Sequence, residues 1–257
     1  ISAKEAGARL MPIKSLEDVT YTNITNFIEN KKIELSDKID SWDDDELNIV
    51  IPMAGEGSRF TKAGYTFPKP MVEIHQKPMI QLIVESLGLK GNFIFIVRQE
   101  HLNKYNLKSL LNIIAPNCKI IVIDKLTEGA ACTVLLAKKY IDNSTPLLVA
   151  NSDQIVDIKI EEFIDDCMER GLDGSILSFL DKDKNPKWSF AKVDDNGFVT
   201  MVKEKKPISE IATVGVYLFT RGDMFVNGAI DMIIENNRSS GEFYTCPVYN
   251  YLVKDGF

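Results

Sequence analysis

Residues 47–79 read LNIVIPMAGEGSRFTKAGYTFPKPMVEIHQKPM, and the rest of the chain can be understood as support for this stretch. Leu47 to Met53 is an apolar run of strand length, rich in β-branched residues. It leads into Ala54-Gly55-Glu56-Gly57-Ser58-Arg59-Phe60, where two glycines stand two positions apart. Glycine carries no Cβ, so the backbone can turn sharply there and come close to a ligand. Successive backbone N–H groups in such a loop form a concavity suited to anions. Arg59 adds a fixed cation, and Lys69 adds another ten residues on, inside Pro68-Lys69-Pro70. A glycine cradle with two cations suits a polyphosphate.

Single positions exclude the two common nucleotide loops. G-x-G-x-x-G would need glycine where Phe60 stands, and G-x-x-x-x-G-K-[ST] is absent. The stretch from Met53 to Met79 instead resembles the signature of the sugar-phosphate nucleotidylyltransferases, which include choline-phosphate cytidylyltransferase-like members. That signature is G-x-G-[ST]-R-[LFM], a variable loop, P-K-P-M, and a second K-P-[ML] that opens a helix. Here Gly55 to Phe60, Pro68 to Met71 and Lys77 to Met79 fill these places. The resemblance covers roughly residues 47–254 and is most specific over 53–79. An ordinary glycine-rich strand–loop–helix connection is the plain alternative, and Arg59 with the two Lys-Pro blocks argues against it.

Composition allows this and excludes other classes. At 257 residues the chain has room for one large α/β domain or two small ones. A net charge of −7 gives no general affinity for nucleic acid, so any basic site must be local. No apolar run approaches a membrane span, and no signal peptide opens the chain. Cys118, Cys132, Cys167 and Cys246 are far apart, with only two histidines to join them. They are expected to be buried thiols in a reducing cytosol rather than a metal or disulfide framework.

The chain divides at an acid-rich linker, Ser36 to Glu46. Residues 1–46 form an N-terminal segment, and residues 47–257 the expected nucleotidyltransferase domain. Lys4-Glu5-Ala6-Gly7-Ala8 resembles the end of a haloacid-dehalogenase-type phosphatase domain, and a plain linker or helical arm is the alternative. The chain starts at Ile1 rather than Met, so fusion to a further N-terminal domain is expected.

From Leu47 strands and helices alternate. Helices are expected over 78–87, 99–115, 129–141 and 221–236, with strands at 92–97, 118–123 and 146–151 between them. Such β-then-α units imply a mostly parallel twisted sheet flanked by helices, with ligands beyond the strands' carboxyl ends. This is a Rossmann-like α/β fold, and the resemblance makes it nucleotide-diphospho-sugar transferase-like. After Gly174 the character changes. Asp194-Asp195-Asn196-Gly197 between alternating runs signals a hairpin, and hence a small antiparallel extension.

Several residues at strand ends carry candidate chemistry. Asp153 follows the fourth strand with polar neighbours Asn151 and Ser152; it suits either Mg²⁺ or a helix N-cap. Thr127, Gly129 and Ala130 form a small-residue helix entrance that lets a flat base approach the backbone, and Thr127 suits a cap as well. The resemblance favours metal at Asp153 and nucleobase contact at 127–130. It implies nucleotide contacts from Ala54, Gly55, Gly57 and Ser58, and an acceptor site in which Glu204 holds hydroxyls and Lys205 holds phosphate. Lys206 is the alternative phosphate holder. Gly215, in Thr213-Val214-Gly215-Val216-Tyr217, would give a sugar ring clearance. In many relatives an E-x-x-x-x-D arrangement supplies a second metal ligand, but that position falls on Pro247 here. Glu242 or Asn250 could replace it.

The implied reaction joins an NTP to a phosphorylated sugar or alcohol and releases pyrophosphate, for glycan or glycoconjugate synthesis. A phosphate monoester has a second pKa near ~6 and attacks already ionised, so no general base is needed. Catalysis would come from position and charge. Mg²⁺ on Asp153 would bridge the NTP phosphates, Arg59 would neutralise the leaving pyrophosphate, and Lys69 would steady the α-phosphate. A metal-dependent glycosyltransferase is the nearest rival, but Asn151-Ser152-Asp153 carries only one acid of its usual D-x-D. A non-catalytic nucleotide-binding module is the other. The base (CTP, UTP, dTTP or GTP), the acceptor and any homo-oligomeric assembly are left open. No nucleic-acid partner and a cytoplasmic location are expected.

Overall fold

The structure, a computed structural model, describes residues 47–55 and 67–257. The expectations for residues 1–46, and for Gly57, Ser58 and Arg59, lie outside the described residues.

The run that opens the motif is β1 (Asn48–Pro52), buried almost throughout. Its side chains alternate: Ile49 and Ile51 enter one core, and Val50 enters the other. Strand β4 (Asn92–Arg98) does the same, with Phe93, Phe95 and Val97 on one face and Ile94 and Ile96 on the other. Strands covered on both faces need continuous apolar sequence, which these have. Strand β5 (Lys119–Ile123) pairs parallel with β4, and β6 (Leu147–Ala150) pairs parallel with β1.

The sheet is extended by antiparallel strands. Strand β10 (Ile211–Phe219) pairs with β6, with β7 (Gly174–Leu180) and with β8 (Phe190–Val193). Strand β9 (Val199–Lys203) closes the expected hairpin with β8, so the sheet runs β5-β4-β1-β6-β10-β8-β9 with β7 beside β10. A second, two-stranded sheet pairs β2 (Glu73–Ile74) with β3 (Lys77–Pro78). Its two-residue loop, His75-Gln76, has positive φ at both positions, 49° and 66°.

Helices cover both faces. One face carries α1 (Met79–Leu87), α2 (Gln99–Tyr105), α3 (Leu107–Ile114) and α6 (Ile160–Glu169). The other carries α4 (Ala130–Leu135), α5 (Lys138–Ile141), α7 (Gly222–Ile234) and α8 (Tyr249–Lys254).

Two expected helices are broken. The 99–115 segment is split at Asn106, which sits left-handed at φ 49°, a conformation asparagine tolerates. The 129–141 segment divides at Leu136-Ala137, whose N–H groups bond to Thr133 and Val134 three residues back and tighten the turn. All four cysteines are free thiols, but only Cys167 and Cys246 are buried; Cys118 and Cys132 are half-buried. Burial pushes the Cys118 thiol up to about 12 and the Cys167 thiol up to about 11.

Candidate active site

Chain order places the site. From β1 the sheet grows outward through β4 and β5, then the chain crosses back to lay β6 on the other side of β1. At such a reversal the loops at the strands' carboxyl ends diverge and leave a crevice. Here it is a cleft of about 590 Å³ that includes Ala54 and Gly55 after β1 and Asp153 after β6.

Lys69 is brought into this cleft by a 3-10 turn, Lys69–Met71, in which a proline stands on each side of the lysine. The turn is closed by Met71 N–H to Pro68 O (2.8 Å). The Lys69 ammonium donates to the Asp153 carboxylate. Both side chains stay partly exposed, at 28% and 35%, so the pair faces the opening. No helix follows Asp153 directly; the next begins at Ile160. The N-cap alternative for Asp153 is therefore overturned.

The entrance to α4 also lines the cleft. Gly129 has φ 132°, and a Cβ there would lie 2.3 Å from the Phe243 carbonyl oxygen. Glycine is needed at this point to admit the 242–246 strap, whose Phe243 N–H donates to Glu128 O (2.8 Å) and whose Phe243 O accepts from Ala131 N–H (3.0 Å). The Thr127 hydroxyl turns inward, 2.6 Å from the Thr133 hydroxyl and 3.0 Å from Gly129 O. It makes no cap bond to the helix N-terminus, contrary to the capping alternative.

The floor is polar and deeply set. Glu204, in the turn after β9, accepts a hydrogen bond from the Ser189 hydroxyl. Burial pushes its carboxyl above the ordinary glutamate value; Ser189 and Lys205 pull it down, and Glu242 pushes it further up. Lys205 Nζ lies 4.0 Å from Glu204 Oε1 and donates to the Tyr244 hydroxyl. The Tyr217 hydroxyl, 3.3 Å from that of Thr213, is held neutral by burial.

Gly215 sits where β10 changes partners, in an irregularity between Thr213 and Tyr217, at φ 80°. Its O accepts from Asn151 N–H (2.9 Å). A Cβ would fall 2.1 Å from Asn151 Nδ2 and 2.2 Å from Gln154 Oε1. A side chain at this position is excluded by the chain's own Asn151 and Gln154, which bond each other at 3.0 Å, while Gly215 itself lines the cleft. The glycine is required by the backbone conformation and by Asn151 and Gln154.

The cleft therefore gathers Ala54, Gly55, Lys69, Thr127, Gly129, Ala130, Asp153, Glu204, Gly215 and Glu242, and Lys205, outside the lining, touches Tyr244 and Glu204, which line it. Asn250 is not among them. Its Oδ1 accepts from Val202 N–H (2.8 Å) and its Nδ2 donates to Val202 O (3.0 Å), so the amide is spent pinning α8 to β9. Asn250 as a second metal ligand is a correction. Glu242 lines the cleft, with Glu204 and Tyr244 as electrostatic neighbours. Sequence reasoning missed Ser189, Gln154 and Tyr244, none of which belongs to a spaced motif.

The lining charges bear on a metal. Among the described residues, Lys69 and Lys187 stand against Asp153, Glu204 and Glu242. A divalent cation on the Asp153 carboxylate would add positive charge for a polyphosphate. No group of three or more His, Cys, Asp or Glu side chains is placed to hold a metal among the described residues. The donor set fits a hard cation held by one carboxylate and by substrate oxygens, as Mg²⁺ commonly is.

The protein-family model described as nucleotidyl transferase matches residues 49–246. A solved structure of a nucleoside-diphosphate-sugar pyrophosphorylase from Vibrio cholerae RC9 is 31% identical, with a TM-score of 0.67 over 81% of this chain and 88% of that one. The bifunctional protein GlmU of Methanococcus aeolicus is 26% identical over 213 residues, 76% of this chain and 49% of that protein. The UTP–glucose-1-phosphate uridylyltransferase of Synechocystis sp. is 24% identical over 190 residues, 67% and 49% respectively. The chain thus spans about half the length of the curated relatives it matches. The matched span holds the strands, the cleft and both Lys-Pro blocks, and on that ground the chain belongs to the nucleotidyl transferase family, that of the sugar-phosphate nucleotidylyltransferases.

Proposed function

We propose that the chain transfers a nucleoside monophosphate from an NTP to a phosphorylated sugar or related phosphorylated alcohol, releasing pyrophosphate. The observation that carries this is the convergence of Lys69 and Asp153 with Thr127, Gly129 and Glu204 on one cleft, from elements up to 135 residues apart. Lys69 and Asp153 supply an ammonium and a carboxylate, Thr127 and Gly129 a small-residue loop for a flat base, and Glu204 a buried carboxylate for acceptor hydroxyls.

The acceptor's ionised phosphate oxygen attacks the α-phosphorus. A P–O–P bond forms as the bond from the α-phosphorus to the bridging oxygen breaks, and pyrophosphate leaves with that electron pair. Lys69 holds an α-phosphate oxygen, and Arg59, beyond the described residues, meets the leaving group with its planar fork. Ala54, Gly55, Gly57 and Ser58 offer backbone donors. Glu204 accepts from acceptor hydroxyls, and Lys205 grips the acceptor phosphate. Mg²⁺ on Asp153 would neutralise phosphate charge. The product would feed glycan or glycoconjugate synthesis in the cytoplasm, and no helix among the described residues is long and apolar enough to cross a membrane.

The test is pyrophosphate release from CTP, UTP, dTTP and GTP, each with glucose 1-phosphate, other sugar phosphates and phosphocholine. Release that needs both an NTP and an acceptor supports the assignment. Release with no acceptor, or transfer from a nucleotide sugar instead, refutes it.

A further inference from the structure

Lysine binds phosphate as a point charge on a flexible stem. A lysine stem has four rotatable bonds, and the ammonium of a surface lysine is free to wander. Yet Lys205 is fixed three ways. Its backbone is left-handed, at φ 52°, in the turn that ends β9. Its ammonium donates to the Tyr244 hydroxyl and lies over the Tyr244 ring, 4.3 Å from the centroid. The same ammonium is 4.0 Å from Glu204 Oε1.

We propose that Tyr244 is a positioning residue that holds Lys205 at the acceptor's phosphate. This rests on the assignment of Lys205 to the acceptor. Tyr244 suits the task because the chain on either side of it is tied down. The residue before it, Phe243, is 2% exposed and clamped by two backbone hydrogen bonds to Glu128 and Ala131. The Arg238 guanidinium stacks on the Phe243 ring, 4.1 Å from its centroid, and pairs with Glu128. The residue after it, Thr245, leads into the buried turn Cys246–Val248. Tyr244 thus stands on a strap held by contacts on both sides. A phenol also leaves the cation competent: an ammonium has three donors, the hydroxyl takes one, and the ring face adds attraction without neutralising the charge.

The experiment uses the NTP and acceptor pair that releases pyrophosphate fastest in the panel above. Tyr244→Phe keeps the ring and loses the hydroxyl, and should raise KM for the acceptor about three- to tenfold, the range for one hydrogen bond. KM for the NTP and kcat should stay within about twofold. In a Lys205→Ala background the same substitution should add nothing, since the two act as one unit. An unchanged acceptor KM, or effects that multiply in the double variant, overturns the proposal. So does a uniform loss in kcat and both KM values with a lowered Tm, which marks a structural role only.

A second measurement is independent of turnover. With lysines labelled as ¹³C-dimethylamines, the Lys205 signal, identified by its absence in Lys205→Arg, should be shifted upfield by the Tyr244 ring. It should return to the ordinary position in Tyr244→Leu. An unshifted Lys205 signal overturns the placement. If the shift is present and no acceptor in the panel is used, the function assignment fails while the positioning of Lys205 stands.

Discussion

The Lys69 ammonium and the Asp153 carboxylate pair across 84 residues of sequence, joining the Pro-Lys-Pro turn to the end of β6. In the proposed transfer each would have a different partner: phosphate for the lysine, a cation for the carboxylate. Their mutual contact keeps both charges satisfied in the cleft.

Removing either charge should therefore cost activity far more than stability. Both groups are partly exposed, and such a pair contributes at most ~1 kcal/mol to folding. Lys69→Ala is expected to lower kcat by ~10²–10³-fold, the range for one preorganised charge contact, with Tm nearly unchanged. Asp153→Asn should abolish Mg²⁺-dependent turnover. Steady-state kinetics beside thermal melts decide it; near-normal turnover in either variant contradicts the catalytic roles of this pair.

Gly215→Ala is expected to lower stability by ~1–2 kcal/mol, since alanine at φ 80° is strained. The new methyl would also displace Asn151 and Gln154, which lie within 2.2 Å of where it would stand. Urea unfolding reads the first effect and acceptor KM the second. A variant as stable as the parent would show that β10 does not need its irregularity.

Glu204 gives a pH signature. Burial raises its folded-state value above the ordinary one of 4.5. The protonated carboxyl therefore favours the fold: that contribution is fully present below about 4.5 and is lost as pH rises through the raised value. Glu204→Gln, which is always neutral, should melt higher than the parent at neutral pH, and the gap should close toward pH 4. A gap that stays constant across this range contradicts the assignment. The same variant should raise acceptor KM, because an amide accepts fewer hydroxyl bonds than a carboxylate.

Asn250→Ala separates structure from metal binding. It leaves Val202 N–H and O, in a fully buried residue, without their partners. The expected loss is ~1–3 kcal/mol in urea unfolding, with the Mg²⁺ concentration for half-maximal rate unchanged. A shifted Mg²⁺ dependence would restore Asn250 as a ligand.

What the sequence made legible follows from the range of the forces involved. The β-branched run at 48–52, the proline-led helix at 79–87 and the Asn-Gly hairpin are local patterns, and they stand where expected. Helix α6 was also visible in principle: Ile160, Phe163, Ile164 and Cys167 recur at helical spacing beneath an acidic face. The break at Asn106 escaped because the apolar period continues across it, while the backbone there is left-handed. The reasons for Gly129 and Gly215 were not local at all. Each makes room for a segment that is distant in sequence, or for side chains packed across strands. Tyr244 had no signal, since its partner Lys205 is 39 residues away. Asn250 was misplaced because spacing alone cannot show that its amide is already used by Val202.

The most direct measurement follows the phosphorus itself. In ³¹P NMR of the protein with Mg²⁺, the best NTP of the panel and its acceptor, the acceptor's phosphomonoester signal should fade. A coupled diphosphate pair and inorganic pyrophosphate should then grow in equal amounts. Adding excess pyrophosphate should drive the same signals backward to NTP and phosphomonoester. Appearance of orthophosphate, of a nucleoside monophosphate, or of no new signal with any pair would contradict nucleotidyl transfer by this cleft.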